Sequence, residues 1–112
     1  MKYAIPVSGG VLSPHFGHCE QFALIDADEN SKTILKKTLL SSPPHQPGLL
    51  PPWLAQQGAQ VIIAGGMGSN AISLFQQNKI KVVLGALSLT PEQIVSDFLN
   101  GKLATGDNLC DH

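Results

Sequence analysis

Three observations predict an α/β domain. Residues 61–64, Val-Ile-Ile-Ala, form an apolar run that stops at Gly65-Gly66, and a helical pattern starts directly after it. A second apolar run, Lys81 to Ala86, follows that helix, and Thr90-Pro91-Glu92-Gln93 opens another. Ahead of these lie three short apolar segments with short connections. Strand-helix-strand on this scale is a parallel βαβ unit, right-handed by default. Short connections between strands make antiparallel neighbours.

At 112 residues the chain is one domain with room for a single core. Residues 1–102 are expected to form it, and residues 103–112, polar and Gly-containing, to be a mobile C-terminal tail. Hydrophobic content is 43% and charged content only 13%, so the surface is weakly charged and leaves room for a partner face. A net charge of −1 argues against nucleic acid, which needs a basic footprint. All seven basic residues are Lys, so no bidentate arginine fork is available for phosphate. No segment reads as a membrane span or a signal peptide, and the expected compartment is the cytoplasm. Two cysteines, Cys19 and Cys110, are too few for a disulfide scaffold and read as thiols or ligands.

In chain order, Lys2–Val7 reads as the first strand, with Pro6 at its end because proline cannot donate to a ladder. Ser8-Gly9-Gly10 opens a loop that runs on through Val11-Leu12-Ser13-Pro14. Residues 20–26 form the second strand, Asp26–Asn30 a turn, and residues 31–40 the third strand. Asp26, Asp28 and Glu29 read as a solvated turn and are assigned no chemistry. The Pro-rich segment 41–48 is a loop carrying a solvated His45. Pro51 or Pro52 starts a helix with Leu50, Trp53 and Leu54 toward the core, and Gly58 closes it. The helix after the glycines buries Ala71, Ile72, Leu74 and Phe75, is capped by Ser69 or Asn70, and ends at Asn78. The last helix has Thr90 at N-cap, Pro91 at N1 and Gln93 completing a capping box, buries Ile94, Val95, Phe98 and Leu99, and ends at Asn100-Gly101.

The stretch around which the chain is organised is Gly65-Gly66-Met67-Gly68-Ser69-Asn70. A strand-to-helix turn of this kind aims several backbone N–H groups at one point, and the helix dipole adds partial positive charge. An anion can bind there without a basic side chain. A tight connection with no ligand is the plainer alternative. No P-loop Lys follows the glycines and no Gly-x-Gly-x-x-Gly is present, which ranks a nucleotide or small-anion sensor last.

Two segments carry soft donors. His15-Phe16-Gly17-His18-Cys19 places two imidazoles and a thiol within five residues, and Cys110-Asp111-His112 places a thiol and an imidazole two residues apart. Such donors suit zinc, copper, iron and iron–sulfur species. The spacing is not that of a four-ligand structural zinc site. Met67 can add a thioether, although packing is its commoner use. No nucleophile sits beside a base at a recognisable spacing and no carboxylates are paired, so a non-enzymatic role is expected.

Taken together, His15-Phe16-Gly17, Gly65-Gly66-Met67-Gly68 and the closing Cys110-x-His112 resemble the dinitrogenase iron–molybdenum cofactor biosynthesis family of small domains, in order and spacing, over nearly the whole chain. The resemblance implies a ribonuclease-H-like, three-layer α/β/α fold with a mixed five-stranded sheet, one strand antiparallel. It also implies carriage or delivery of an iron/molybdenum-type metal–sulfur cluster or its precursor; a relative holds a molybdenum–copper sulfide cluster. In this chain Gly65, Gly66, Met67, Gly68, Ser69 and Asn70 would cradle the cluster, with His15, His18, Cys19, Cys110 and His112 as metal ligands. Copper or zinc alone are the simpler metal alternatives. The expected partners are the cluster and cluster-assembly proteins, with neither nucleic acid nor membrane. A metal-free protein–protein interaction module is the main alternative function. Loops at the carboxyl ends of parallel strands converge, so the His-bearing loop and the glycine turn should open on one edge of the sheet.

Overall fold

The computed structural model describes residues 1–13, 20–43, 49–86 and 89–101. Strand β1 (Lys2–Ser8) lies at the centre of a mixed sheet. It is followed by β2 (Val11–Leu12), β3 (Gln21–Asp28) and β4 (Thr33–Ser41), then by helix α1 (Leu50–Gln56), strand β5 (Val61–Ile63), helix α2 (Ser69–Gln77), strand β6 (Lys81–Val83) and helix α3 (Pro91–Leu99). The sheet runs β4-β3-β1-β5-β6, with β2 added on β1. Strands β1, β5 and β6 are parallel; β3 runs against both β1 and β4. Of the five long-path strands only β3 is reversed.

The sheet therefore has six strands among the described residues, where the sequence reading expected five. The extra one is β2, in a stretch whose composition predicts a loop. Gly9 and Gly10 have φ of +63° and +84°, the left-handed pair that a two-residue hairpin turn demands, and a Cβ at either would meet nothing. Backbone conformation, not packing, requires glycine there. The turn folds Val11 and Leu12 back onto Ser8 and Val7.

Pro6 lies inside β1 rather than at its end. Met1 and Ala27 exchange backbone bonds of 3.0 and 2.8 Å, which sets the odd residues of β1 facing β3. Pro6 consequently faces the other way, past Tyr3 and Ala4, where the register with β5 is made. Its carbonyl accepts from the Ser13 amide at 2.8 Å, and its missing N–H costs the β3 ladder nothing.

Apolar layers cover both faces. Tyr3, Ile5 and Val7 of β1, with Ala23, Ile25 and Ala27 of β3 and Ile63 of β5, pack under Ile94, Val95 and Phe98 of α3. Ala4, Phe22, Leu24 and Ile62 pack on the opposite face against Leu54 and Trp53 of α1 and Phe75 of α2. Strands covered on both faces read as continuous apolar runs, as 61–64 does.

The helix ends follow local chemistry. Pro51 sits in the first turn of α1, and Gly58, φ +88°, follows its C-cap Gln57. Thr90 caps α3 by accepting from the Gln93 amide at 3.3 Å. The Gln93 side chain instead donates to Asp97 at 2.8 Å, so the expected capping box closes on one side only. Helix α2 ends at Asn78, whose side-chain amide donates to the Leu74 carbonyl, and Lys79 follows in the left-handed conformation at φ +61°. Among the described residues no helix is long and apolar enough to cross a membrane.

Candidate functional site

The parallel strands β1, β5 and β6 all finish on one rim of the sheet, and that rim holds the glycine turn. Val61–Ile63 is fully buried, and burial continues through Ala64, Gly65, Gly66 and Met67. Met67 packs with Phe75 and Ile62 in the layer beneath α1 and α2, so its side chain belongs to the core. Gly68, Ser69 and Asn70 emerge to the surface. The glycine turn thus runs from a dry floor to an exposed helix start.

Helix α2 begins one residue earlier than the sequence suggested. Gly68 is its N-cap, because the Ile72 amide donates to the Gly68 carbonyl at 3.1 Å. Ser69 and Asn70 are therefore inside the first turn, and no side chain among the described residues caps this helix. The first amides of any helix lack intrahelical partners. Here they lie at an exposed terminus with no acidic residue in the first turn.

Gly68 is the informative position. Its φ of −70° and ψ of 157° suit any residue. A Cβ built there would meet nothing within 4 Å. Neither conformation nor packing calls for glycine, and a Cβ there would stand in open space. A cradle of this kind accepts an anionic group close to the main chain.

A second loop, which the sequence reading missed, forms one wall of the rim. The apolar run 81–86 predicts a continuous strand, but β6 stops at Val83. Gly85 then turns through φ +82° and donates to the Gly65 carbonyl at 3.0 Å; the Ala86 amide donates to Ala64 at 3.2 Å. The Leu12 amide donates to Leu89 at 2.9 Å. Main-chain bonds thus join β2, the glycine turn, Gly85, Ala86 and Leu89 into one frame. The available signal was Gly85 itself, closing an apolar run much as Gly65 closes the run before it.

All four histidines and both cysteines lie outside the described residues. That includes His15, His18, Cys19, Cys110 and His112, the proposed metal ligands, and His45. Among the described residues no group of three or more His, Cys, Asp or Glu could hold a metal ion. The described flanks of segment 14–19 are both fixed at the finishing end of β1. The Ser13 amide donates to Pro6, while the Glu20 amide donates to Val7 at 3.1 Å and to the Ser8 hydroxyl at 3.3 Å. These flanks share the rim with the glycine turn. The end of α3 lies across the sheet from it: Phe98 packs edge-on against Tyr3 at 5.6 Å and under the Lys81 ammonium at 5.9 Å, both at strand starts. Cys110 and His112 thus follow, in sequence, a helix that ends away from the rim.

A mixed α/β sheet with a glycine turn at the finishing ends of its parallel strands, covered by helices on both faces, defines a small domain of the doubly covered α/β class. The particular family follows from comparison. The sequence profile described as dinitrogenase iron-molybdenum cofactor matches residues 1–101, and the chain belongs to that family. An uncharacterized protein of Methanocaldococcus jannaschii, MJ0580, is 31% identical over 106 residues, covering 92% of this chain and 89% of the relative. The crystal structure of PH0822 superposes with a TM-score of 0.89 at 25% identity over all of both chains. The apo form of the orange protein from Desulfovibrio gigas superposes with a TM-score of 0.75 at 25% identity, covering 96% of this chain and 93% of that one. Family membership implies a role related to iron–molybdenum cofactor or metal-cluster biosynthesis or binding.

Proposed function

We propose that this protein is a non-catalytic carrier that binds an anionic iron/molybdenum-type metal–sulfur cluster, or its precursor, as cargo and hands it on during cofactor assembly. The observation that carries the reading is the uncapped, exposed start of α2 at Gly68, with open space where a Cβ would stand. Sulfide-rich clusters are anionic and accept hydrogen bonds at sulfur, which suits oriented amides and a helix dipole. The buried floor of Gly65, Gly66 and Met67 supplies low dielectric, which strengthens those interactions. His15, His18 and Cys19 are the first candidates for metal ligands, because the flanks Ser13 and Glu20 are tied to the same rim. Cys110 and His112 join them on donor chemistry and on the family resemblance. A ribonuclease-H-like description of the fold is part of the same reading. It is supported by the single reversed strand among the five long-path strands and by helices on both faces.

Binding and release need no bond-making by the protein beyond ligand exchange at the metal. A carrier must hold its cargo tightly enough to exclude water yet release it to an acceptor, and a rim open to solvent on one side fits that compromise. The test is anaerobic reconstitution of the full chain with iron, sulfide and molybdate, followed by metal analysis and visible absorption spectroscopy. Retention of metal and sulfide with a charge-transfer spectrum, lost on replacing His15, His18 and Cys19 together, is the expected result. A protein that emerges metal-free and colourless refutes the reading.

A further inference from the structure

We propose that the outer edge of β4 pairs antiparallel with the same strand of a second copy, in a register centred on Leu39. This inference does not depend on the cluster-carrier reading. β4 ends the sheet among the described residues and is its longest strand. It is exposed along most of its length, with Leu35 69% and Leu39 48% accessible.

The ladder tells which main-chain groups of β4 lack a partner among the described residues. The Ser42 amide donates to Glu20 at 3.1 Å, and Gln21 pairs with Ser41. Even-numbered residues of β4 therefore bond inward, and Lys37, Leu39 and Ser41 present N–H and C=O outward. The β3–β4 register shifts once, between Asp26 and Ala27, which leaves Leu35 as the extra residue of a bulge. A bulge blunts an edge, and here it blunts only the first half of β4. Residues 36–41 remain regular.

Self-complementarity selects the register. Centred on Leu39, a two-fold pairing sets Leu39 on the partner's Leu39 and each Lys37 opposite the partner's Ser41. All three outward pairs bond, giving about six ladder hydrogen bonds without entering the bulge. Centred on Lys37, the pairing would oppose two lysines and draw Leu35 into the ladder. Lys37 already bonds Glu92 of α3 at 2.6 Å, so the leucine-centred contact buries no unpaired charge. The contact is one strand edge with about six hydrogen bonds, so the dimer is weak, half-formed on the order of 0.1–1 mM. It lies beside the sheet and leaves the glycine rim uncovered.

Sedimentation equilibrium of the full chain, with reductant to block cysteine cross-links, should show reversible dimerisation over that range. Amide hydrogen exchange should slow at Lys37, Leu39 and Ser41 as concentration rises. Leu39→Lys should weaken dimerisation at least tenfold while circular dichroism stays unchanged. Ser41→Glu, facing the partner's Lys37 twice, should tighten it roughly three- to tenfold. A monomer at every concentration, a dimer whose Lys37, Leu39 and Ser41 amides exchange as before, or a Ser41→Glu variant that fails to tighten overturns the proposal.

Discussion

Replacing Gly68 by Asp should make the protein more stable and a worse cluster binder at the same time. Gly68 is the N-cap of α2, its backbone is extended, and no side chain among the described residues caps the helix. The Cβ of an aspartate placed there meets no neighbour within 4 Å. Its carboxylate can accept from the Asn70 or Ala71 amide, as capping residues at N-cap do. Asp in place of Gly at N-cap is worth a few tenths of a kcal/mol, and a negative charge at a helix start adds about 0.3–1 kcal/mol. The sum, about 0.5–1 kcal/mol, corresponds to a melting rise of roughly 2–6 °C in a domain of this size. Toward an anionic cluster the sign reverses. A charge about 5 Å away at an effective dielectric near 20 costs about 3 kcal/mol per unit of cluster charge, or roughly a hundredfold in affinity. The same carboxylate also occupies the amides. Differential scanning calorimetry of the metal-free protein and metal retention after reconstitution read the two effects separately. Unfolding cannot mimic a stabilised protein that has lost its cargo. Unchanged metal retention in a correctly stabilised variant refutes the assignment of the cluster to this turn.

Three further outcomes follow from the fold. Lys79 sits at φ +61° just past the C-cap of α2, where glycine carries no Cβ penalty, so Lys79→Gly should raise stability by about 0.5–1 kcal/mol in a denaturant titration. Thr90→Ala removes the acceptor for the Gln93 amide at the start of α3 and should cost about 1 kcal/mol by the same measurement. The Tyr3 hydroxyl is buried and has no hydrogen-bond partner among the described residues, so Tyr3→Phe should be neutral or stabilising by up to about 1 kcal/mol. Burial, with a smaller push from Glu29, raises the Tyr3 phenol above 10.0. A raised folded value means that Tyr3 adds stability below the unfolded value and loses it as pH rises through the folded one. Stability of the parent should therefore decline above about pH 10 more steeply than that of Tyr3→Phe.

Local signals proved readable wherever a residue's own backbone decides the outcome. Thr90-Pro91 starts α3 and Gly58 follows the end of α1, because caps, prolines and left-handed glycines act within one turn of chain. The Gly9-Gly10 hairpin was readable in principle, since two glycines between apolar residues are a turn signal. Reading them as an open loop cost the sheet its sixth strand. Pro6 misled for the opposite reason. A proline is harmful in a central strand only if its nitrogen faces a ladder, and which way it faces depends on partners far away in sequence.

The cradle shows the same division. That an apolar run, glycines and a helix occur in succession is written in residues 61–77. That Met67 is core while Gly68 is rim, and that the cap position is glycine with open space before it, emerged only with α1, β6 and α2 packed around the turn. Gly85 is legible in the sequence as the end of an apolar run, but that its loop walls the rim is not, because its bond to Gly65 joins loops twenty residues apart. Spacing also supplies the soft donors at His15, His18, Cys19, Cys110 and His112, while the family follows from the profile match over residues 1–101. What the sequence alone determined, then, is local: where strands and helices start and stop, and which side chains can bind a soft metal. Tertiary structure alone decided which strand ends share a rim, which edge of the sheet stays open, and that α3 finishes across the sheet from the glycine turn. Those outcomes depend on pairing between distant segments, and burial of apolar faces fixes that pairing only when all the elements assemble together.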